Sequence, residues 1–300
     1  MGEASASPTP ATHLYGGQAV VEGVMMRGQD HWAVAVREPA GDIYVESHDV
    51  DSLAARQKIW RAPFFRGILV LGQSLRIGIR ALMIASNHAT DEDEELTSTQ
   101  IGIALTIALV AFVVIFVLGP TTLFVWLQDQ VDAHGVLVNV AEGVFRVGLF
   151  VGYLWVLGRT KDIHRVFEYH GAEHKVVYTW EADEELTVAN ARTKQRQHPR
   201  CGTSFLMIVM LVSIVAFSVV KFDSLLLNLL VRILLIPVIA GVSYEIIRAS
   251  AKSSAQWFFS VITRPGLWLQ NITTKEPDDS QLEVAIYALK ESLKLEPVGQ

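Results

Sequence analysis

Between His170 and Cys201 the chain gathers three histidines, a glutamate and its one cysteine into two short groups, HGAEH (His170, Glu173, His174) and HPRC (His198, Cys201). Imidazole, thiolate and carboxylate are the usual ligands of a catalytic transition metal. Two histidines four apart on a helix share one face, one turn above the other, and can grip a single ion. Glu173 between them can act as general base on a water at that ion. The candidate ligands are therefore His170, His174, His198 and Cys201, and the candidate catalytic residue is Glu173. Zinc suits this donor set best, although iron or another divalent ion accepts the same ligands. Four protein ligands would close the site and make it structural, whereas a catalytic site keeps one position open. We take three to bind, with Glu173 or Cys201 in a catalytic or supporting role. Against this, juxtamembrane histidines also cap helices or hydrogen-bond at headgroup level, Gly171 weakens the helix that the spacing assumes, and Pro199 permits only a turn through HPRC.

The elements around these residues are set by composition. A mean hydropathy of +0.32 with 51% hydrophobic residues is too apolar for an ordinary soluble domain, and the apolar residues are clumped. No charge occurs from Leu96 to Gln128. The reading is a mainly α membrane protein with four transmembrane helices at about 101–126, 136–157, 201–220 and 225–247. Pro120 should kink the first. The second contains Glu142 and Arg146, four apart, and the fourth contains Arg232, Pro237 and Glu245. These intramembrane charges either lock the bundle or line a polar path. Residues 1–13 read as a disordered tail and 14–95 as an N-terminal region. Residues 96–256 form the membrane core, with the metal-site loop at 158–200, and 257–300 an interfacial segment ending in a helix over Ser280–Leu295. Trp32–Arg37 and Ile43–Ser47 read as alternating strands of a β-hairpin around the EPAGD turn. The stretch 64–86, with three arginines, reads as amphipathic or partly embedded, and Trp257–Trp268 as interfacial or re-entrant.

Eight Lys and Arg residues precede the first span and eight more lie between Gly158 and Arg200, while Asp129–Gly135 has none. The positive-inside rule then puts both termini and the histidine-bearing loop in the cytoplasm. No apolar signal segment opens the chain. A lone cysteine excludes an intrachain disulfide, and a net charge of −6 argues against nucleic-acid binding. In the glycine-rich opening GGQAVVEGVMMRG, Glu22 and Arg27 are further site candidates, as an ion pair supporting a turn or as substrate contacts. Glu245, at the cytoplasmic end of its span, is a third. His164 and Glu168 read as a solvated helix face.

Taken together, GGQAVVEGVMMRG, YHGAEHKVV, HPRCGTSF, the SYE of Ser243–Glu245 and PGLWLQNITTKEPDD resemble the YqhQ family of uncharacterised bacterial membrane proteins. The likeness runs from about Gly16 to Leu289. It implies a multi-pass protein of the bacterial cell (inner) membrane, described as a predicted metal-dependent enzyme, and no particular reaction. HGAEH also has the H-x-x-E-H order of the inverted zinc proteases. The expectation is a metal-dependent hydrolase acting at the lipid bilayer on a lipid-linked or membrane-protein substrate. A non-catalytic scaffold or assembly factor with a structural metal is the alternative, and a transporter the weaker one, given few spans and no inverted repeat.

Overall fold

The computed structural model describes residues 15–28, 30–50, 62, 65–90, 97–131, 136–220, 225–252 and 256–294. The expected tail at 1–13, the Asp91–Glu95 cluster and the hairpin tips at 132–135 and 221–224 lie outside them. Four strands, β1 (Gly16–Val20), β2 (Gly23–Arg27), β3 (His31–Arg37) and β4 (Ile43–Asp49), form an antiparallel meander in chain order. The expected hairpin is β3–β4. The glycine-rich opening forms a second hairpin in front of it, turning at Val21–Glu22 with Glu22 at φ 49°.

The second strand of that hairpin, β2, shows little alternation because the sheet is covered on both faces there, whereas β1 is exposed along Gly16–Gln18. In β3, Trp32, Val34 and Val36 pack with Val20 and Met25 against Ile77, Ala81 and Ala85 of helix α1 (Phe65–His88). On the other face, Ala35, Val24 and Met26 meet two further helices, α5 (Lys161–Glu181) and α10 (Asp279–Lys294). Small residues face the helix pair and large ones face α1. Five residues of β3 in a row are buried, as in a strand covered on both sides. Tyr169 and Val176 of α5 and Leu282 and Leu289 of α10 complete this core.

The apolar helices follow the sequence closely. Helix α2 (Ser98–Val113) opens on a capping box, with the Thr97 hydroxyl and the Gln100 side chain satisfying each other's backbone amides. It continues through a π-helical turn, Val114–Leu118, into α3 (Gly119–Val131). The π-turn comes just before Pro120, whose ring would clash with the Phe116 carbonyl in a regular helix. The sequence-expected kink is thus absorbed as one widened turn. Next come α4 (Val136–Leu157), α5, the short α6 (Val188–Arg192), α7 (Gly202–Val219), α8 (Leu225–Lys252) and α9 (Gln256–Thr273). The stretch expected to be a loop, 158–200, is largely helical. The segment read as interfacial or re-entrant is a continuous helix, α9, with Pro265 inside it.

Among the described residues five helices are long and apolar enough to cross a membrane, α1 and the four expected. Ile107, Val215 and Leu234 are 64%, 66% and 74% exposed. Apolar faces of that extent suit a lipid bilayer.

Inside the bundle the charges of two helices and a hydroxyl of a third converge. Glu142 Oε1 accepts from Arg146 Nη2 at 2.6 Å, Arg232 Nη1 at 2.9 Å and the Thr121 hydroxyl at 3.0 Å. Arg232 also donates to Thr121 Oγ1 at 2.6 Å. The expected Glu142–Arg146 pair is present, and Arg232 joins it to tie α3, α4 and α8 together. Removing the carboxylate alone leaves two enclosed guanidinium groups without a counter-charge. Glu142→Ala should therefore cost about 3–5 kcal/mol, and replacing Glu142, Arg146 and Arg232 together by Met should recover most of it. Thermal unfolding in detergent measures both; a single variant as stable as the parent would show that the cluster does not hold the bundle.

Candidate metal centre

HGAEH lies in the middle of α5, so the helical spacing inferred for His170 and His174 is realised. Gly171 does not break the helix. A Cβ there would stand 2.0 Å from the Lys275 carbonyl oxygen, so glycine admits the strand of chain after α9. The Lys275 amide donates to the Phe167 carbonyl at 2.8 Å, and the segment runs along α5 toward His170.

This close approach orients the first imidazole. His170 Nδ1–H donates to the Thr273 carbonyl at 2.8 Å, leaving Nε2 3.1 Å from Cys201 Sγ. One turn on, His174 Nδ1–H donates to the Arg196 carbonyl at 2.5 Å. Its Nε2 is buried, has no hydrogen-bond partner and lies 3.4 Å from Glu173 Oε2. A carbonyl on Nδ1 that fixes the tautomer and frees Nε2 is how metal-ligating histidines are usually held. One donor atom each from His170, His174 and Cys201 lie within 4.8 Å of one another.

Cys201 enters from HPRC, where Pro199 sits in a turn closed by the Cys201 amide on the His198 carbonyl at 3.2 Å. Cys201 is the N-cap of α7, and its sulfur accepts from the Thr203 amide at 3.4 Å. The positive end of that helix thus faces the sulfur. Gln270 of α9 clamps the turn: its Oε1 accepts from the His198 amide at 2.7 Å, and its Nε2 donates to the His198 carbonyl at 2.9 Å and to Ser204 Oγ at 3.0 Å.

The other candidates lie around this cluster. His198 is buried beside His174, ring centroids 5.7 Å apart, but both its nitrogens are engaged elsewhere. Nε2–H donates to Glu181 at 3.3 Å, and Nδ1 accepts from the Arg200 amide at 3.3 Å. Burial pushes its pKa down, with Glu173 pulling the other way, which favours the neutral ring. Glu173 is buried against the backbone of β1: a Cβ on Gly17 would meet its Cγ at 2.8 Å. Glu22 and Arg27 do not pair with each other. Glu22 holds Arg165 and accepts from the Tyr169 hydroxyl at 3.2 Å, at the far end of the hairpin. Arg27 reaches α1, donating to Ser74 Oγ at 2.9 Å and Gln73 Oε1 at 3.2 Å. Glu245 binds Arg66 through both carboxylate oxygens, joining α8 to the start of α1. His164 stands 3.5 Å from Glu168, which accepts from Gln281 of α10 at 2.9 Å.

A cavity of about 470 Å³ opens beside the cluster, with Glu173, His174 and Cys201 on one wall. Its opposite wall is the first hairpin, including Gly16, Gly17 and Arg27, with Ser74 and Ile77 of α1. Arg200, paired with Glu181, completes it. Sequence reading missed the Thr273 and Arg196 carbonyls and the Gln270 clamp. Two of these three lie in the NITTK region, which carried the family likeness with no role attached.

The comparisons give a family and no chemistry. Residues 62–295 match the family described as "Protein of unknown function (DUF1385)". The chain is 34% identical over 305 residues, 95% of its own length and 94% of the relative's, to "Uncharacterized protein YqhQ" of Bacillus subtilis (strain 168). No solved structure matches. What the fold defines is a protein with several membrane-length helices and a small sheet-and-helix head. The chain belongs to the DUF1385 family, to which the YqhQ resemblance had pointed.

The glycines make the packing testable. Gly171→Ala drives a methyl into backbone and should cost about 1–3 kcal/mol or more. Gly72→Ala on α1, where nothing lies within 4 Å, should be neutral or stabilise by about 0.5–1 kcal/mol. Melting temperatures of the two in the same detergent check the contrast.

Proposed function

We propose that the protein is a membrane-anchored hydrolase in which His170, His174 and Cys201 hold one divalent ion, zinc by preference, and Glu173 is the general base. The observation that carries this reading is the buried Nε2 of His174, which makes no hydrogen bond, is held by a carbonyl on its other nitrogen and stands beside Glu173, with a donor atom of His174 within 4.8 Å of those of His170 and Cys201. A buried polar atom with no partner is costly unless something binds it. The donor set of two imidazoles and a thiolate fits zinc and leaves one position open. When bound, such an ion supplies Lewis acidity. Glu173, on the cavity wall, takes a proton from a water at its carboxylate and passes it to the leaving group. The glycine hairpin and α1 close the other side and limit access by bulk water. Because the cavity adjoins the membrane helices, the substrate is membrane-associated, either lipid-linked or a membrane-protein bond.

The membrane arrangement belongs to the same reading. The sheet shares a core with α5 and α10, so the chain between β4 and α5 crosses the bilayer an even number of times. The α2–α3 rod and α4 supply two crossings. Helix α1 touches the end of α8 through Gly67 and Tyr244 and then lies on the sheet, which supports a surface position. With α7 and α8 this gives four spans, and the charge bias puts the sheet, the metal centre and both termini in the cytoplasm.

Detergent-purified protein should carry about one zinc per chain by mass-spectrometric metal analysis, lost in His174→Ala and Cys201→Ser and kept in Glu173→Gln. In cells lacking their own copy, Glu173→Gln should be as defective as His174→Ala, a drop of about 10²–10⁴ in rate. If Glu173→Gln works normally while His174→Ala does not, the ion is structural and the protein is a scaffold. For the topology, an alkaline phosphatase fusion after Phe222 should be active and one after Thr90 inactive; the reverse result would exclude the four-span arrangement.

A further inference from the structure

We infer that the cavity receives a phosphate group, anchored by Arg27; the inference deepens the metal-centre reading and rests on it for the charge of the bound ion. Arg27 reaches the cavity from β2, yet its polar partners are neutral, the Ser74 hydroxyl and the Gln73 amide. Among the described residues no carboxylate pairs with it. Burial lowers its pKa, with Tyr244 the only opposing influence, as for a cation held without a counter-ion.

With the proposed ion in place, the charges facing the cavity would leave Arg27 over. Arg200 is matched by Glu181. A divalent ion with one thiolate keeps one positive charge, which Glu173 on the same wall offsets. Arg27 remains, and an anion is what would answer it.

The shape of the walls selects the kind of anion. Gly16 and Gly202 line the cavity with nothing within 4 Å of where a side chain would start, so this part of its surface is open backbone, which lets a bulky tetrahedral group approach closely. Gly202 begins the 18-residue helix α7, whose positive end points to the same space. A guanidinium, a glycine-rich wall and a helix N-terminus together form a recurrent phosphate-binding combination. The volume of about 470 Å³ accommodates a phosphate together with the carbons it esterifies. Ser74, on the cavity wall, belongs to the helix that begins against Tyr244 at the end of α8. A phosphate borne by a lipid headgroup can therefore enter from the bilayer side, and a free phosphate ester from the cytoplasm.

The test uses the full chain in detergent and titrates inorganic phosphate by calorimetry, then repeats it in micelles doped with short-chain phosphatidic acid. Arg27→Gln should weaken binding roughly tenfold to a hundredfold, and Arg27→Lys should recover part of it. Competition between the two probes at the Arg27-dependent site supports a lipid-borne phosphate; binding of inorganic phosphate alone supports a soluble one. Phosphate binding unchanged in Arg27→Gln, wild-type protein that binds neither probe, or acetate binding as tightly as phosphate each overturns the inference. Zinc measured on the same samples keeps the two readings apart. Zinc-free wild-type protein that still binds phosphate through Arg27 would sink the metal centre and the charge count built on it, and leave the Arg27 site standing. Zinc-loaded protein without Arg27-dependent binding would sink the phosphate site alone.

Discussion

The missing side chain at Gly171 is the constraint from which the rest of the head follows. Because nothing projects there, the chain leaving α9 lies directly on α5, hydrogen-bonded at Phe167 and in contact at Gly171. That contact carries the Thr273 carbonyl to His170 and delivers α10 to the open face of the sheet. The same chain brings Gln270 to the HPRC turn, which sets where Cys201 starts its helix. One absent methyl therefore fixes the relation between two imidazoles, a thiol and the sheet that covers them.

Much of this was legible in the residues. Charge-free runs announced the apolar helices, because an uninterrupted apolar segment of that length has few other uses. The four-residue histidine spacing placed both rings on one face. Gly171 was misleading in isolation: helix propensity counts it as a weakness, whereas tertiary contact makes it a requirement. His198 illustrates the opposite limit. Its spacing from Cys201 matches a ligand pair, but spacing says nothing about which way a ring nitrogen points, and both of its nitrogens are bound elsewhere.

The glycine-rich opening is not legible as strands in the sequence. Its signal was hidden because a sheet covered on both faces loses the polar-apolar alternation by which strands are recognised. The orienting carbonyls were beyond any sequence reading, since every residue has one. The intramembrane cluster fell between these cases: Glu142 and Arg146 are neighbours on one helix, while Arg232, 90 residues from Glu142, joins through the fold alone.

The order in which the chain is made gives the Gly171 contact a further meaning. The sheet is synthesised well before the residues that cover its α5-facing side, which include Leu282 and Leu289. Until the final helix emerges, Val24, Met26 and Ala35 lack part of their packing. Contacts between such distant segments close slowly. The sheet that forms one cavity wall is therefore backed on its other face only once α10 is in place, so an unfinished chain does not present a finished head.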